Sequence, residues 1–121
     1  MNKMIVRKTN KKIRSNRNDV IMYQILTYCF FNKIKVSDTE LELLTELSIN
    51  NGVEVNDLCQ QLSVKCIYRT KQSARNAISK VEKKNLILKD GDARKKRVYI
   101  SEDIGINTHS VILLDMKILG E

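Results

Sequence analysis

Between residues 70 and 101 the spacing of apolar residues switches from a helical to a strand period, and no other stretch restricts the fold as tightly. Ala74, Ala77, Ile78 and Val81 recur at i, i+3, i+4 and i+7, which predicts a helix over 70–84 opened by Thr70 or Ser73 and closed by Asn85. Leu86, Ile87 and Leu88 then form a short apolar strand. Asp90, Gly91 and Asp92 supply turn chemistry, and the basic run Arg94, Lys95, Lys96 and Arg97 leads into a returning strand over 98–101. Ahead of the helix, Leu58, Cys59 and Leu62 mark the inner face of a shorter one, capped by Asn56 or Asp57 and ending at Ser63 and Val64. Residues 65–69 connect the two helices, and Cys66, Ile67 and Tyr68 suggest that this connection is packed against the core.

The chain before this unit divides at strong local signals. Ser37 and Glu40 form a capping box, in which the hydroxyl takes the Glu40 amide and the carboxylate reaches back to the Ser37 amide. The helix it opens carries Leu41, Leu44, Leu47 and Ser48 on one face and Glu42 and Glu46 on another. Asn50, Asn51 and Gly52 stop it, and the alternation Val53, Glu54, Val55 predicts a small strand. Further upstream, Asn18 or Asp19 caps a helix over 19–32 that is apolar nearly all round: Val20, Ile21, Met22, Ile25, Leu26, Cys29 and Phe30, widened by Tyr23, Tyr28 and Phe31. Such a helix is either buried inside the domain or forms a subunit interface, and the interface is favoured because a small domain rarely encloses a helix. Residues 1–17 read as a basic arm with an apolar patch at Met4, Ile5 and Val6. Residues 104–108 read as a loop, and the alternation of Ile112, Leu114, Met116 and Ile118 predicts a terminal strand that needs a partner along its edge. The expected organisation is an arm (1–17), one domain (18–103) and a C-terminal extension (104–121).

Charge is segregated along the chain. Residues 1–17 hold seven Lys and Arg and no acid, residues 36–58 hold six acids and no base, and residues 65–97 hold twelve Lys and Arg against Glu82, Asp90 and Asp92. Two cationic blocks in a chain of net charge +8 imply an anionic partner, most commonly a nucleic-acid backbone. A solvated basic surface is the plainer explanation. The 70–84 helix favours nucleic acid, because its outer face has no acid between Lys71 and Val81. That face presents Lys71, Gln72, Arg75, Asn76, Ser79, Lys80 and Lys83. Arg and Lys donate to guanine O6 and N7, and Gln and Asn amides pair with adenine, so Lys71, Gln72, Arg75 and Asn76, near the helix start, are the candidate base readers. Lys80 and Lys83 fall where phosphates would be met. Arg94, Lys95, Lys96 and Arg97 suit phosphate clamping, although strand alternation would bring at most about half of them to one surface.

The residues from Leu58 to Ile100 resemble the winged helix-turn-helix family, and are similar to MarR-like regulators and to small winged-helix proteins of tailed phages. Leu58 to Val64 corresponds to the second helix and turn, Ser73 to Asn85 to the recognition helix, and Leu86 to Ile100 to the wing. Asn85 stands where the family usually has glycine, and the 65–69 connection is longer than the family's tight turn. The resemblance covers residues 39–101. It implies an α+β fold, mainly α: a winged helix-turn-helix with an extra N-terminal helix and a C-terminal strand. It also implies an oligomeric, double-stranded-DNA-binding transcriptional regulator in the cytoplasm of a bacterial or phage-infected cell. The competing expectation is a structural component of a larger assembly such as a phage virion, with the arm and terminal strand contacting neighbouring subunits.

An enzyme is not expected. His109 is the single histidine, and Gly52, Gly91, Gly105 and Gly120 are too scattered for a phosphate loop. No metal or other cofactor is expected, and no apolar run reaches the length of a membrane span. The odd number of cysteines (Cys29, Cys59, Cys66), without a CxxC, points to reduced thiols.

Overall fold

The computed structural model describes residues 17–92 and 94–107; the basic arm, His109 and the strand expected at 111–119 lie outside the described residues. Four helices, α1 (Arg17–Phe31), α2 (Asp38–Ile49), α3 (Val55–Val64) and α4 (Lys71–Lys83), are followed by strands β1 (Ile87–Asp90) and β2 (Arg97–Ile100) and a 3-10 turn, Glu102–Ile104. The chain is therefore mainly helical with a small antiparallel sheet. No helix among the described residues is long and apolar enough to cross a membrane.

At Ser37, Thr70 and Asn85 the structure follows the local signal in the sequence. Ser37 and Glu40 make the reciprocal capping box, with the Ser37 amide 3.1 Å from Glu40 Oε1 and the Glu40 amide 3.2 Å from Ser37 Oγ. Thr70 caps α4 in the same way with Ser73. Asn85 takes φ +62°, the left-handed conformation that ends a helix and that asparagine tolerates better than most residues.

Other boundaries differ from expectation, and at the start of α3 a distant group takes part. Helix α3 starts at Val55 with Glu54 as its N-cap and no side-chain capping bond, not at Asn56 or Asp57. The Val55 amide donates instead to Lys96 O (2.9 Å), so the hairpin satisfies the first turn. Helix α1 begins at Arg17, before Asn18 and Asp19. The hairpin is shifted: β1 runs through Lys89 and Asp90, and β2 begins at Arg97, because Asp90 pairs with Arg97 and Ile87 with Ile100. Residues 105–107 form the expected loop, held by the bonds of Asn107 to Gln24, whereas Ile104 ends the 3-10 turn and is buried; residue 108 lies outside the described residues.

Helix α2 is the centre of the packing, with α1 against one side and β2 and α4 against others. This explains why Leu43, outside the apolar face read from the sequence, is fully buried alongside Leu44 and Leu47. It also separates the two acids read on one face: Glu46 is buried and paired with Lys65 at 2.8 Å, while Glu42 is exposed. The core is completed by Ile21, Ile25 and Cys29 of α1, Leu58, Cys59 and Leu62 of α3, Ala74, Ile78 and Val81 of α4, and Leu86, Ile87 and Val98.

A second buried acid joins the helices to the sheet end. Lys84, just past α4, donates to both Glu40 oxygens (3.2 and 2.9 Å) and to Lys35 O (2.6 Å). Burial raises the Glu40 pKa, but the Lys84 ammonium and the Ser37 amide and hydroxyl outweigh it and hold the carboxyl below its ordinary value. A depressed folded pKa stabilises the fold above the unfolded value and loses that contribution as pH falls through the folded value. In urea titrations, the stability advantage of the native chain over Glu40→Gln should be constant above about pH 5 and shrink below it. A difference that does not change with pH would show that the pair carries no net ionisation energy.

Candidate nucleic-acid interface

The start of α4 is held firmly. Cys66 adopts φ +59°, the Ile67 amide donates to Leu62 O, and Ile67 and Tyr68 pack on the core, so the 65–69 connection is packed as expected at Ile67 and Tyr68, while Cys66 is exposed. Burial of Ala74, Ala77, Ile78 and Val81 then turns the opposite side of the helix outward. On that side Lys71, Gln72, Arg75, Asn76, Lys80 and Lys83 are exposed and Ser79 is half-buried.

Three of the four candidate base readers already have partners on the surface. Arg75 Nη2 donates to Asn56 Oδ1 at 2.8 Å, and Gln72 Nε2 donates to Asn76 Oδ1 at 3.0 Å. An exposed hydrogen bond of this sort is worth about 1 kcal/mol or less, and an i,i+4 amide pair about 0.2–0.5 kcal/mol. A bidentate contact to a base edge is worth about 1–3 kcal/mol. The existing bonds therefore preset the side chains without locking them. Arg75 also lies over Cys59; burial pushes the Cys59 thiol up, and the positive charges of Arg75, Lys89 and Lys71 offset part of that rise.

Arg75 and the hairpin share one cleft of about 560 Å³, lined by Glu54, Val55, Asn56, Arg75, Lys89, Arg94, Lys95 and Lys96. Three of the four basic hairpin residues reach it, more than strand alternation allows. The reason is that 94–96 belong to the turn and not to β2, so alternation does not apply to them. The turn is shaped by the Lys95 amide donating to Asp92 O and by Gly91, where a Cβ would approach Lys95 O to 2.9 Å. Arg97 is the exception: its Nη1 donates to Gly52 O at 2.9 Å, which directs it away from the cleft onto the backbone. On the other flank of α4, Asn76 and Lys80 border a smaller cleft of about 190 Å³ against Ser37, Thr39 and Tyr68.

The strand expected at Val53, Glu54 and Val55 does not form, because Val55 already opens α3; a backbone seam to the hairpin stands in its place. Gly52 N donates to Val98 O, Val98 N to Val53 O and Val55 N to Lys96 O, each at 2.9 Å, with an antiparallel bridge between Glu54 and Arg97. The seam fastens the hairpin to the start of α3, and Asn51 Oδ1 extends it by accepting from the Ile100 amide.

Not every cation in the basic block is available. Among the described residues, Lys65 is neutralised by Glu46, Lys84 by Glu40 and Lys89 by Glu82, and Arg97 is turned onto Gly52 O. That leaves Arg69, Lys71, Arg75, Lys80, Lys83, Arg94, Lys95 and Lys96. Sequence reasoning missed Asn56 as the Arg75 partner, since it read that residue as a helix cap. It also missed Lys89 in the cleft wall; the two-residue period of β1 carried the signal, because Lys89 shares a face with the buried Ile87. No three His, Cys, Asp or Glu side chains among the described residues are placed to hold a metal ion. No protein-family model, curated protein or solved structure matches the chain.

Gly52 carries the seam at φ +86°, and a Cβ there would lie 3.2 Å from Cε1 of Tyr99. Gly52→Ala should therefore destabilise the fold by about 1–2 kcal/mol from backbone conformation alone. Amide exchange in β2 should accelerate more than in α2. An unchanged urea midpoint would mean that the seam does not constrain the hairpin.

Proposed function

We propose that this chain is a winged-helix protein that binds double-stranded DNA as a regulator, with α4 as its recognition helix and residues 89–98 as its wing. The observation that carries this reading is the single cleft shared by Arg75 of α4 and Arg94, Lys95 and Lys96 of the hairpin turn. The order of elements and the backbone seam that ties residues 52–55 to the hairpin support the winged-helix assignment. An α-helix about 10–12 Å across enters a major groove about 12 Å wide, and the exposed face of α4 has the donors and acceptors that base edges require. Lys80 and Lys83 on α4, Arg94, Lys95 and Lys96 on the wing and the basic arm then supply about six phosphate contacts.

A second reading, an assembly module, is favoured by one specific observation: Phe30 and Phe31 on α1 are 78% and 74% exposed among the described residues. A regulator of this size needs no such surface unless it also contacts another protein segment.

With about six phosphates engaged, log affinity for duplex DNA should fall with log salt at a slope of about −5. Arg75→Ala should narrow the gap between preferred and random sequences, whereas Lys95→Ala with Lys96→Ala should weaken all duplexes alike and reduce the slope by about 2. Binding that is absent, or flat with salt, would remove the nucleic-acid reading and leave the assembly module.

A further inference from the structure

We propose that Asn56 is a specificity-determining residue that acts through Arg75. It holds the Arg75 guanidinium against the protein in the free chain and on unmatched sequences, and releases it only to a base edge that binds it more strongly. The proposal rests on the nucleic-acid reading and concerns how that same site tells one sequence from another.

The bond joins two points that packing fixes. Arg75 rises from α4 between Ala74 and Ala77, both buried. Asn56 sits on the first turn of α3, between Val55, whose amide donates to Lys96 O at 2.9 Å, and Leu58, which is fully buried. Across the nineteen positions that separate them, Arg75 Nη2 donates to Asn56 Oδ1 at 2.8 Å. The side chain therefore lies along the junction of α3 and α4. It lines the cleft with Glu54 and Val55. Burial raises the pKa of Cys59, a thiol with no exposed surface, and the Arg75 charge is the largest influence opposing that rise. A guanidinium held there is turned toward α3 and not outward into a groove.

The turn cations of the same cleft carry no such tie. Among the described residues, Lys89 is paired with Glu82, while Arg94, Lys95 and Lys96 have no acid within ion-pair distance. Phosphates are alike in every duplex, and the turn can meet them without giving up a bond. Moving Arg75 to a phosphate would surrender Asn56 for a contact the turn already supplies. A guanine edge offers two acceptors, O6 and N7, where Asn56 offers one, so the exchange favours the base. The bond is therefore intact in the free chain and on random DNA, and broken on a matched sequence. Its strength is subtracted from the matched complex, so Asn56 moderates the discrimination that Arg75 provides.

The test uses the full chain, a duplex enriched from a random pool, and a scrambled duplex of the same length and composition. Asn56→Ala should widen the ratio of the two affinities by about two- to fivefold, the strength of one exposed hydrogen bond. With Arg75→Ala already present, Asn56→Ala should leave that ratio unmoved. A second measurement needs no variant: the guanidinium nitrogens of Arg75, followed by NMR, should rotate more slowly than those of Arg94. They should keep their free-chain shifts when the scrambled duplex is saturating and move when the enriched one is added. An unchanged ratio, or Arg75 signals that move with both duplexes, would overturn the proposal, because Arg75 would then be leaving Asn56 for phosphate. A narrowed ratio would overturn it by making Asn56 a support that holds Arg75 on the base. Binding that enriches no sequence would overturn the proposal and leave the nucleic-acid reading standing, whereas no binding at all would remove both.

Discussion

Ala74 and Ala77 carry nothing beyond a Cβ, and the close seating of α4 on α3 that they permit is the contact on which the rest of the surface depends. With Ile78 and Val81 on the same face and Leu58, Cys59 and Leu62 opposite, the burial of one side of α4 fixes the direction of the other. A larger side chain at either alanine would have to be accommodated by lifting the helix, since buried positions tolerate little added volume. The outward direction of Lys71, Gln72 and Lys83 is therefore a consequence of packing and not of any contact those side chains make.

The second determinant is the seam between residues 52–55 and 96–98. It joins the beginning of α3 to the returning arm of the hairpin through three backbone bonds, so the turn bearing Arg94, Lys95 and Lys96 cannot drift from α4. Electrostatics then sorts the cations. Acids of the net-negative stretch 36–58 reach across to Lys65 and Lys84, and Glu82 on the hairpin side of α4 takes Lys89. Of the described cations between residues 65 and 97, Arg97 apart, those left without an acid lie on α4, at its leading end and in the turn. In the proposed function this division has a purpose: one set of lysines fastens helices to each other, and another remains for phosphate.

Sequence legibility followed the range of the interaction that set each feature. Capping at Ser37 and Thr70, the helix stops at Asn50 and Asn85, and the inner faces of α3 and α4 depend on residues within one or two turns, and these were readable. The start of α3 was not, because Glu54 makes no capping bond and the first free amide is satisfied by Lys96, forty-one residues away. Burial of Glu46 depends on Lys65, and the orientation of Arg75 on Asn56, each nineteen positions off. Leu43 was missed because its burial reflects neighbours on several sides of α2, which no periodicity in a single helix encodes. For the candidate site, the residue types and the outward face were visible, while the sharing of one cleft with the hairpin turn required the register.

Titration of an isotopically labelled chain with duplex DNA, followed by amide and side-chain chemical shifts, tests the central claim most directly. The account predicts that the largest changes fall on Lys71, Gln72, Arg75, Asn76, Lys95 and Lys96, with the Arg75 guanidinium leaving Asn56 and the shifts of α1 unmoved. Changes centred on α1, or none at all at low salt, would contradict it.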